Sequence, residues 1–126
     1  MPRKGKGIFL KEGLNDIRSV GTVASTSVFV ARAMAPNIHA GDPPRVIVEL
    51  GVGTGSITEE IIKHIRPQDI FIGIESNEKF LEVCNEHLRI SDSKASVHLE
   101  LGYAQHVEKI LKKYGAREAD TIVCTI

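Results

Sequence analysis

The 126-residue chain contains no tryptophan, only two tyrosines and four phenylalanines. It therefore shows no aromatic surface of the kind that single-stranded nucleic acids or an extruded base stack on. Net charge is also missing, because 16 Lys and Arg balance 16 Asp and Glu. That balance gives no electrostatic reason for a nucleic-acid partner of the chain as a whole. The two cysteines, Cys84 and Cys124, stand far apart without Cys-x-x-Cys or Cys/His spacing, which argues against a metal site and for a reducing compartment. No apolar run approaches the roughly 20 residues of a membrane span. The start Met1-Pro-Arg-Lys-Gly-Lys6 has no apolar core like that of a secretory signal. What remains is a cytoplasmic globular chain, and its 42% hydrophobic residues are enough for one modest core.

Although the total is neutral, the charge is unevenly placed. Arg3, Lys4, Lys6, Lys11 and Arg18 face only Glu12 and Asp16, a local bias suited to an anionic surface such as the inner face of a membrane. Leu10, Leu14 and Ile17 recur at helical spacing with Phe9 adjacent, so residues 8–20 read as a short amphipathic helix weakened by Gly13. A small-residue connector from Gly21 to Ser27 follows. Thr26 or Ser27 then caps a second helix through Val28, Ala31 and Met34 that Pro36 ends. Residues 1–44 thus form an amino-terminal helical segment.

Residues 45–126 alternate between apolar strands and helices: Val46–Leu50, Ser56–Ile65, Ile70–Glu75, Asn77–Leu88, Ser96–Leu101, Val107–Tyr114 and Thr121–Ile126. Such alternation predicts an α/β unit, a parallel sheet with helices on both faces and strands ordered third, second, first, fourth. Ser56 and Glu59 stand at capping-box spacing, followed by Ile57, Ile61 and Ile65 on one helical face. Phe80, Leu81, Cys84 and Leu88 supply the corresponding face of the next helix. The last strand of a four-stranded sheet would present a bare apolar edge. We therefore expect an amino-terminal part of a larger domain, or a homodimer formed through that edge.

The densest chemical signal is Val46-Ile-Val-Glu-Leu-Gly-Val-Gly-Thr-Gly-Ser-Ile-Thr58, a strand, a glycine loop and a helix start. Gly51, Gly53 and Gly55 let backbone approach a ligand closely beside a helix amino end. Glu75 closes the next strand, where two carboxylate oxygens can accept from the 2′ and 3′ hydroxyls of a ribose. Together these make a half-site for a nucleoside. Ser56 stands where a dinucleotide site wants Gly or Ala, which lowers that reading. Glu49, an acid within an otherwise apolar strand, is costly unless it meets backbone donors or a cationic group such as an amino-acid ammonium. The five histidines show no shared spacing and read as surface or core residues.

Phe9-Leu-Lys-Glu12, Ser19-Val-Gly-Thr-Val-Ala-Ser25, Val30-Ala-Arg-Ala-Met-Ala35 and the glycine segment through Thr58 resemble the amino-terminal part of bacterial phospholipid N-methyltransferases. These are class I S-adenosylmethionine-dependent enzymes with a Rossmann-like three-layer fold. Ribosomal RNA adenine dimethylases look similar over the glycine segment. The resemblance implies that Glu49, Gly51, Gly53 and Gly55 hold the methionine part of S-adenosylmethionine and Glu75 its ribose. It places Tyr103 and Ala104 toward adenine, and Thr22 and Ser25 over the cofactor beside the acceptor. Many relatives have Gly-Asp-Ala where this chain has Gly102-Tyr103-Ala104, so either the base is held by the Ala104 backbone and by stacking or the affinity is weaker. The implied activity is methyl transfer to a phospholipid amine, that of phosphatidylethanolamine, at an anionic membrane surface. RNA or small-molecule acceptors are the alternatives, and a non-catalytic nucleoside-binding module is the alternative of another class. Catalytic residues are not identified and are expected beyond Ile126.

Overall fold

The computed structural model describes residues 6–9, 41–89 and 96–124. One parallel sheet is built from β1 (Lys6–Phe9), β2 (Val46–Leu50), β3 (Ile70–Glu75), β4 (Ser96–Leu101) and β5 (Thr121–Cys124), in the order β1-β5-β2-β3-β4. The strands of residues 45–126 therefore stand third, second, first, fourth, as the alternation predicts. Val46 pairs with Ile70 and Ile70 with Ser96, so the first residues of the three strands lie level and their carboxyl ends finish together.

Period-two alternation sorts the side chains onto two faces. On one face Ile47, Phe71 and Val123 pack with Ile61, and with the partly buried Ile57 and Ile65, from α1 (Ser56–Lys63) and the turn after it. On the other, Val48, Ile72 and Ile74 pack with Leu111 of α3 (Val107–Lys113) and with Val107, Ile110 and Tyr114. Fully burying each such side chain is worth about 1.5–3 kcal/mol, so the two central strands anchor both layers. α2 (Glu78–Arg89) joins the α1 side, where Cys84 is fully buried against the Gly55 backbone. Asn77 begins α2 by accepting the Phe80 N–H on its Oδ1 at 3.1 Å, relieving one of the unpaired donors of the first turn.

The amino ends of β2 and β3 are fastened by Asp69, whose carboxylate is completely buried. It accepts from the Arg45 and Arg66 backbone N–H groups at 2.9 and 2.8 Å and from both guanidinium groups, at 2.9 Å from Arg45 and 2.8 Å from Arg66. Burial alone would raise this carboxyl's pKa, but the hydrogen bonds from Arg66 and Arg45 outweigh it and hold the group well below the usual carboxylate range.

Three expectations are corrected. Ile8 and Phe9 belong to β1 rather than to a helix over 8–20; the remainder of that helix and the one through Val28, Ala31 and Met34 lie outside the described residues. β1 pairs in parallel with β5, Lys6 opposite Thr121 through Phe9 opposite Cys124. The β5 edge is thus occupied by the chain itself and offers no site for the expected homodimer, because β1 satisfies the backbone groups that a bare edge would expose. Finally, no side-chain cap bond forms at α1: Gly55 holds the N-cap position at φ 98°, Ser56 is already helical, and the capping box is not made.

Candidate functional site

The loop after β2 turns back over β3, with the Gly51 N–H donating to the Ile74 carbonyl at 2.8 Å and the Gly55 N–H to the Val52 carbonyl at 3.0 Å. Gly51, Gly53 and Gly55 all have positive φ, at 84°, 56° and 98°, a region that side chains other than glycine's disfavour. The fold of the loop depends on Gly73 as well. A Cβ there would lie 2.6 Å from Val52 Cγ1 and 2.9 Å from Leu99 Cδ2, so the bare backbone of β3 is what lets Val52 sit down on the sheet. A glycine inside a strand is the sequence signal for such close approach.

Around this loop, at the carboxyl ends of β2, β3 and β4, lies a cleft of about 460 Å³, within the usual range of small-molecule sites. Gly51 and Gly53 form one wall, Ile74, Glu75 and Ser76 the floor at the end of β3, Phe80 of α2 a side, and residues 102–105 the opposite rim. Glu75 is tied across the cleft floor: its Oε1 accepts the Gly53 N–H at 2.9 Å and its Oε2 the Asn77 N–H at 2.8 Å. Each oxygen keeps a further lone pair for a ligand hydroxyl. A Cβ built on Gly53 meets nothing within 4 Å, so glycine there leaves space open along the cleft wall.

Two of the expected site residues are placed elsewhere. Gly55 does not line the cleft; its missing side chain admits Cys84, whose Sγ would lie 2.9 Å from an added Cβ. Glu49 is buried beneath the loop on the same sheet face as Glu75, and its Oε1 accepts from the Thr58 hydroxyl. Its Oε2 is a buried side-chain atom without a hydrogen-bond partner among the described residues. Burial pushes the Glu49 carboxyl up to about 8 against the lowering effect of the Thr58 hydrogen bond, and the Glu75 charge adds to the rise. The same surroundings raise the Cys84 thiol to about 11, burial first and then the Glu49 charge. Tyr103 and Ala104 line the cleft, while Thr22 and Ser25 lie outside the described residues.

Several residues were not legible in advance. Phe80, expected to pack inward, is 47% exposed and lines the cleft, and Gln105 and Ser76 join it there. His87 of α2 holds the loop from outside: Nε2 lies 2.8 Å from Glu59 Oε2 and Nδ1 3.3 Å from the Thr54 carbonyl. Its position opposite both is a product of helix packing and leaves no trace in spacing.

Strand order, loop and cleft define the Rossmann-like fold of class I S-adenosylmethionine-dependent methyltransferases. A Bacillus cereus O-methyltransferase in complex with SAH superposes with a TM-score of 0.60 at 17% identity, over 91% of this chain and 52% of that one. The tomaymycin-synthesis O-methyltransferase of Streptomyces achromogenes, in complex with SAM, gives a TM-score of 0.59 at 16% identity, over 92% of this chain and 62% of that one. Among curated proteins, an ornithine lipid N-methyltransferase from Singulisphaera acidiphila is 29% identical over 117 residues, 93% of this chain and 57% of the relative's length. No protein-family model matches the chain.

Proposed function

We propose that this chain is the cofactor-binding part of an S-adenosylmethionine-dependent methyltransferase acting on a lipid amine, that of an ornithine lipid or of phosphatidylethanolamine. The observation that carries the reading is the cleft at the carboxyl ends of β2, β3 and β4, where Glu75 meets the glycine loop that follows β2, the strand at which the order reverses; open α/β sheets bind nucleotides at the carboxyl ends of strands beside such a reversal. The donor set fits the cofactor: Glu75 has lone pairs left for ribose hydroxyls, Gly51 and Gly53 leave room along one wall, and Phe80 and Tyr103 offer ring faces for the base. Glu49, with its unpartnered Oε2, lies sealed beneath the loop off the cleft surface and does not belong to this set.

Bound there, S-adenosylmethionine supplies a methyl group already activated by the sulfonium. What these residues contribute is placement, which can be worth several kcal/mol through effective concentration. Glu75 would hold the ribose and the glycine loop would set the depth of entry, with Thr22 and Ser25 on the acceptor side as the resemblance implies. The match to the ornithine lipid enzyme along 93% of the chain supports a lipid acceptor. The Arg3, Lys4, Lys6, Lys11 and Arg18 cluster supports a peripheral position on an anionic cytoplasmic membrane face, each cation near such a surface being worth about 1 kcal/mol.

The test is transfer of a labelled methyl group by the full-length protein to lipid, RNA and small-molecule pools. Label in amine-bearing lipid is the expected result. Label in RNA or small molecules alone would overturn the acceptor, and tight NAD binding with none of the sulfonium compound would overturn the cofactor. Sedimentation with anionic but not neutral vesicles, reversed by salt, is expected for the membrane assignment.

A further inference from the structure

A loop with three glycines has more backbone freedom to lose than a run of ordinary residues, so its shape depends on what ties it down. From the cleft floor, Glu75 takes the Gly53 N–H at 2.9 Å. The next peptide unit, Thr54–Gly55, is held at both ends. Its N–H, that of Gly55, donates to the Val52 carbonyl at 3.0 Å, and its carbonyl, that of Thr54, faces Nδ1 of His87 at 3.3 Å. The other ring nitrogen of His87, Nε2, lies 2.8 Å from Glu59 Oε2. One side chain of α2 thus joins the glycine loop to α1.

Both groups that face the ring are acceptors. A carbonyl oxygen and a carboxylate oxygen have no hydrogen to give, whereas a neutral imidazole has one N–H and one bare nitrogen. The neutral ring therefore satisfies either Thr54 or Glu59 and turns a lone pair on the other. The imidazolium donates to both at once. From α1 the ring faces Glu59; Lys63, one turn further along that helix, is bound to Glu60 at 2.9 Å. Residues 51–55 bring no titratable side chain. On α2 itself Glu86 is the chain neighbour of His87, and Cys84, one turn back, stays neutral because burial first and then the Glu49 charge raise its thiol to about 11.

We propose that His87 is a positioning residue for the nucleoside ligand: as the imidazolium it clamps the Thr54 carbonyl to Glu59, and on losing its proton it gives up one of the two bonds, so that affinity falls as the pH rises. The inference rests on the nucleoside reading of the cleft. His87 does not line the cleft; it acts through Thr54 on Gly53, the wall residue whose N–H meets Glu75. A loop already fixed leaves less ordering for the ligand to impose. By linkage, a bound ligand favours the protonated ring to the same extent.

Calorimetric titration with S-adenosylhomocysteine from about pH 5 to about pH 8, the span in which imidazoles change charge, tests this on the unaltered protein, His87→Gln and Glu59→Gln. Glutamine keeps one neutral donor and takes up no proton. Glu49, which burial pushes up to about 8, is present in the unaltered protein and in His87→Gln, so its own titration divides out of the ratio of their dissociation constants. The side chains of His87 and Glu59 are 38% and 37% exposed, and screening by water keeps the expected effect to a few-fold. His87→Gln should bind about three- to tenfold more weakly than the unaltered protein at the acid end and about equally at the alkaline end. Glu59→Gln should move the fall in affinity to lower pH, because an amide oxygen holds an imidazolium less strongly than a carboxylate does. A ratio that stays constant with pH would overturn the inference while leaving the nucleoside site intact, since a plain structural bond weakens binding equally throughout. An unchanged profile in Glu59→Gln would overturn the part given to Glu59. If S-adenosylhomocysteine binds at no pH, the nucleoside reading falls, and the inference with it.

Discussion

Glu75 Oε1 accepts the Gly53 N–H at 2.9 Å, so the carboxylate at the end of β3 and the glycine loop after β2 hold each other in place. Glu75→Ala removes both that bond and the acceptor for a ribose. It should weaken binding of S-adenosylmethionine or S-adenosylhomocysteine by about 1–3 kcal/mol. Glu75→Gln should not rescue it fully, because an amide NH₂ would face the Gly53 or the Asn77 N–H. Calorimetry on the three proteins decides the matter, and equal affinities would remove Glu75 from the site.

Gly53 and Gly55 should fail in different ways. A side chain at Gly53 meets no neighbour within 4 Å but carries the strain of φ +56°, a cost of about 1–2 kcal/mol. Gly53→Val should mainly abolish ligand binding by filling the approach path. Gly55→Ala drives a methyl to 2.9 Å from Cys84 Sγ at φ +98°, and overpacking plus strain should cost about 2–4 kcal/mol of stability. Adding Cys84→Ala should recover part of that loss, which urea unfolding of the single and double variants measures as a coupling energy.

Asp69 lies at the opposite end of the strands from the cleft, and its replacement should leave ligand affinity unchanged in protein that remains folded. Asp69→Ala removes the acceptor shared by two guanidinium groups and two backbone donors and should cost on the order of 3 kcal/mol of stability. Because the folded carboxyl titrates below its unfolded value, its stabilisation is complete above the ordinary carboxylate range and is lost progressively as the pH falls from there towards the depressed folded value. The acid limb of the unfolding curve should flatten in the variant, and an unaltered acid limb would show that Asp69 contributes nothing.

Glu49 has the reverse sign. Its folded value of about 8 means that the native state keeps a proton which the unfolded chain has already released. Stability should therefore decline as the pH rises from about 4.5 to about 8. Glu49→Gln keeps the acceptor for Thr58 and should remove that decline. Urea midpoints at pH 5 and pH 8 for both proteins provide the check.

Local pattern was enough to determine the parallel sheet, its order across residues 45–126 and the glycine loop beside Glu75. Continuous apolar runs such as Ile70–Ile74 mean strands buried on both faces, and right-handed crossovers leave few ways to order them. Only the tertiary structure decided how the site residues divide between wall and support. Gly53 opens the cleft while Gly55, two residues on and identical in type, makes room for Cys84 from another helix. Glu49 and Glu75 point to the same face of neighbouring strands, yet one is sealed under the loop and the other lines the cleft. β1 took the edge of β5 although Ile8 and Phe9 open a stretch whose spacing reads as helical, because pairing satisfies the backbone groups that a bare sheet edge would leave exposed. Side-chain spacing records what a residue does within its own element; which distant element it meets depends on how the layers pack, and that is set by the whole chain at once.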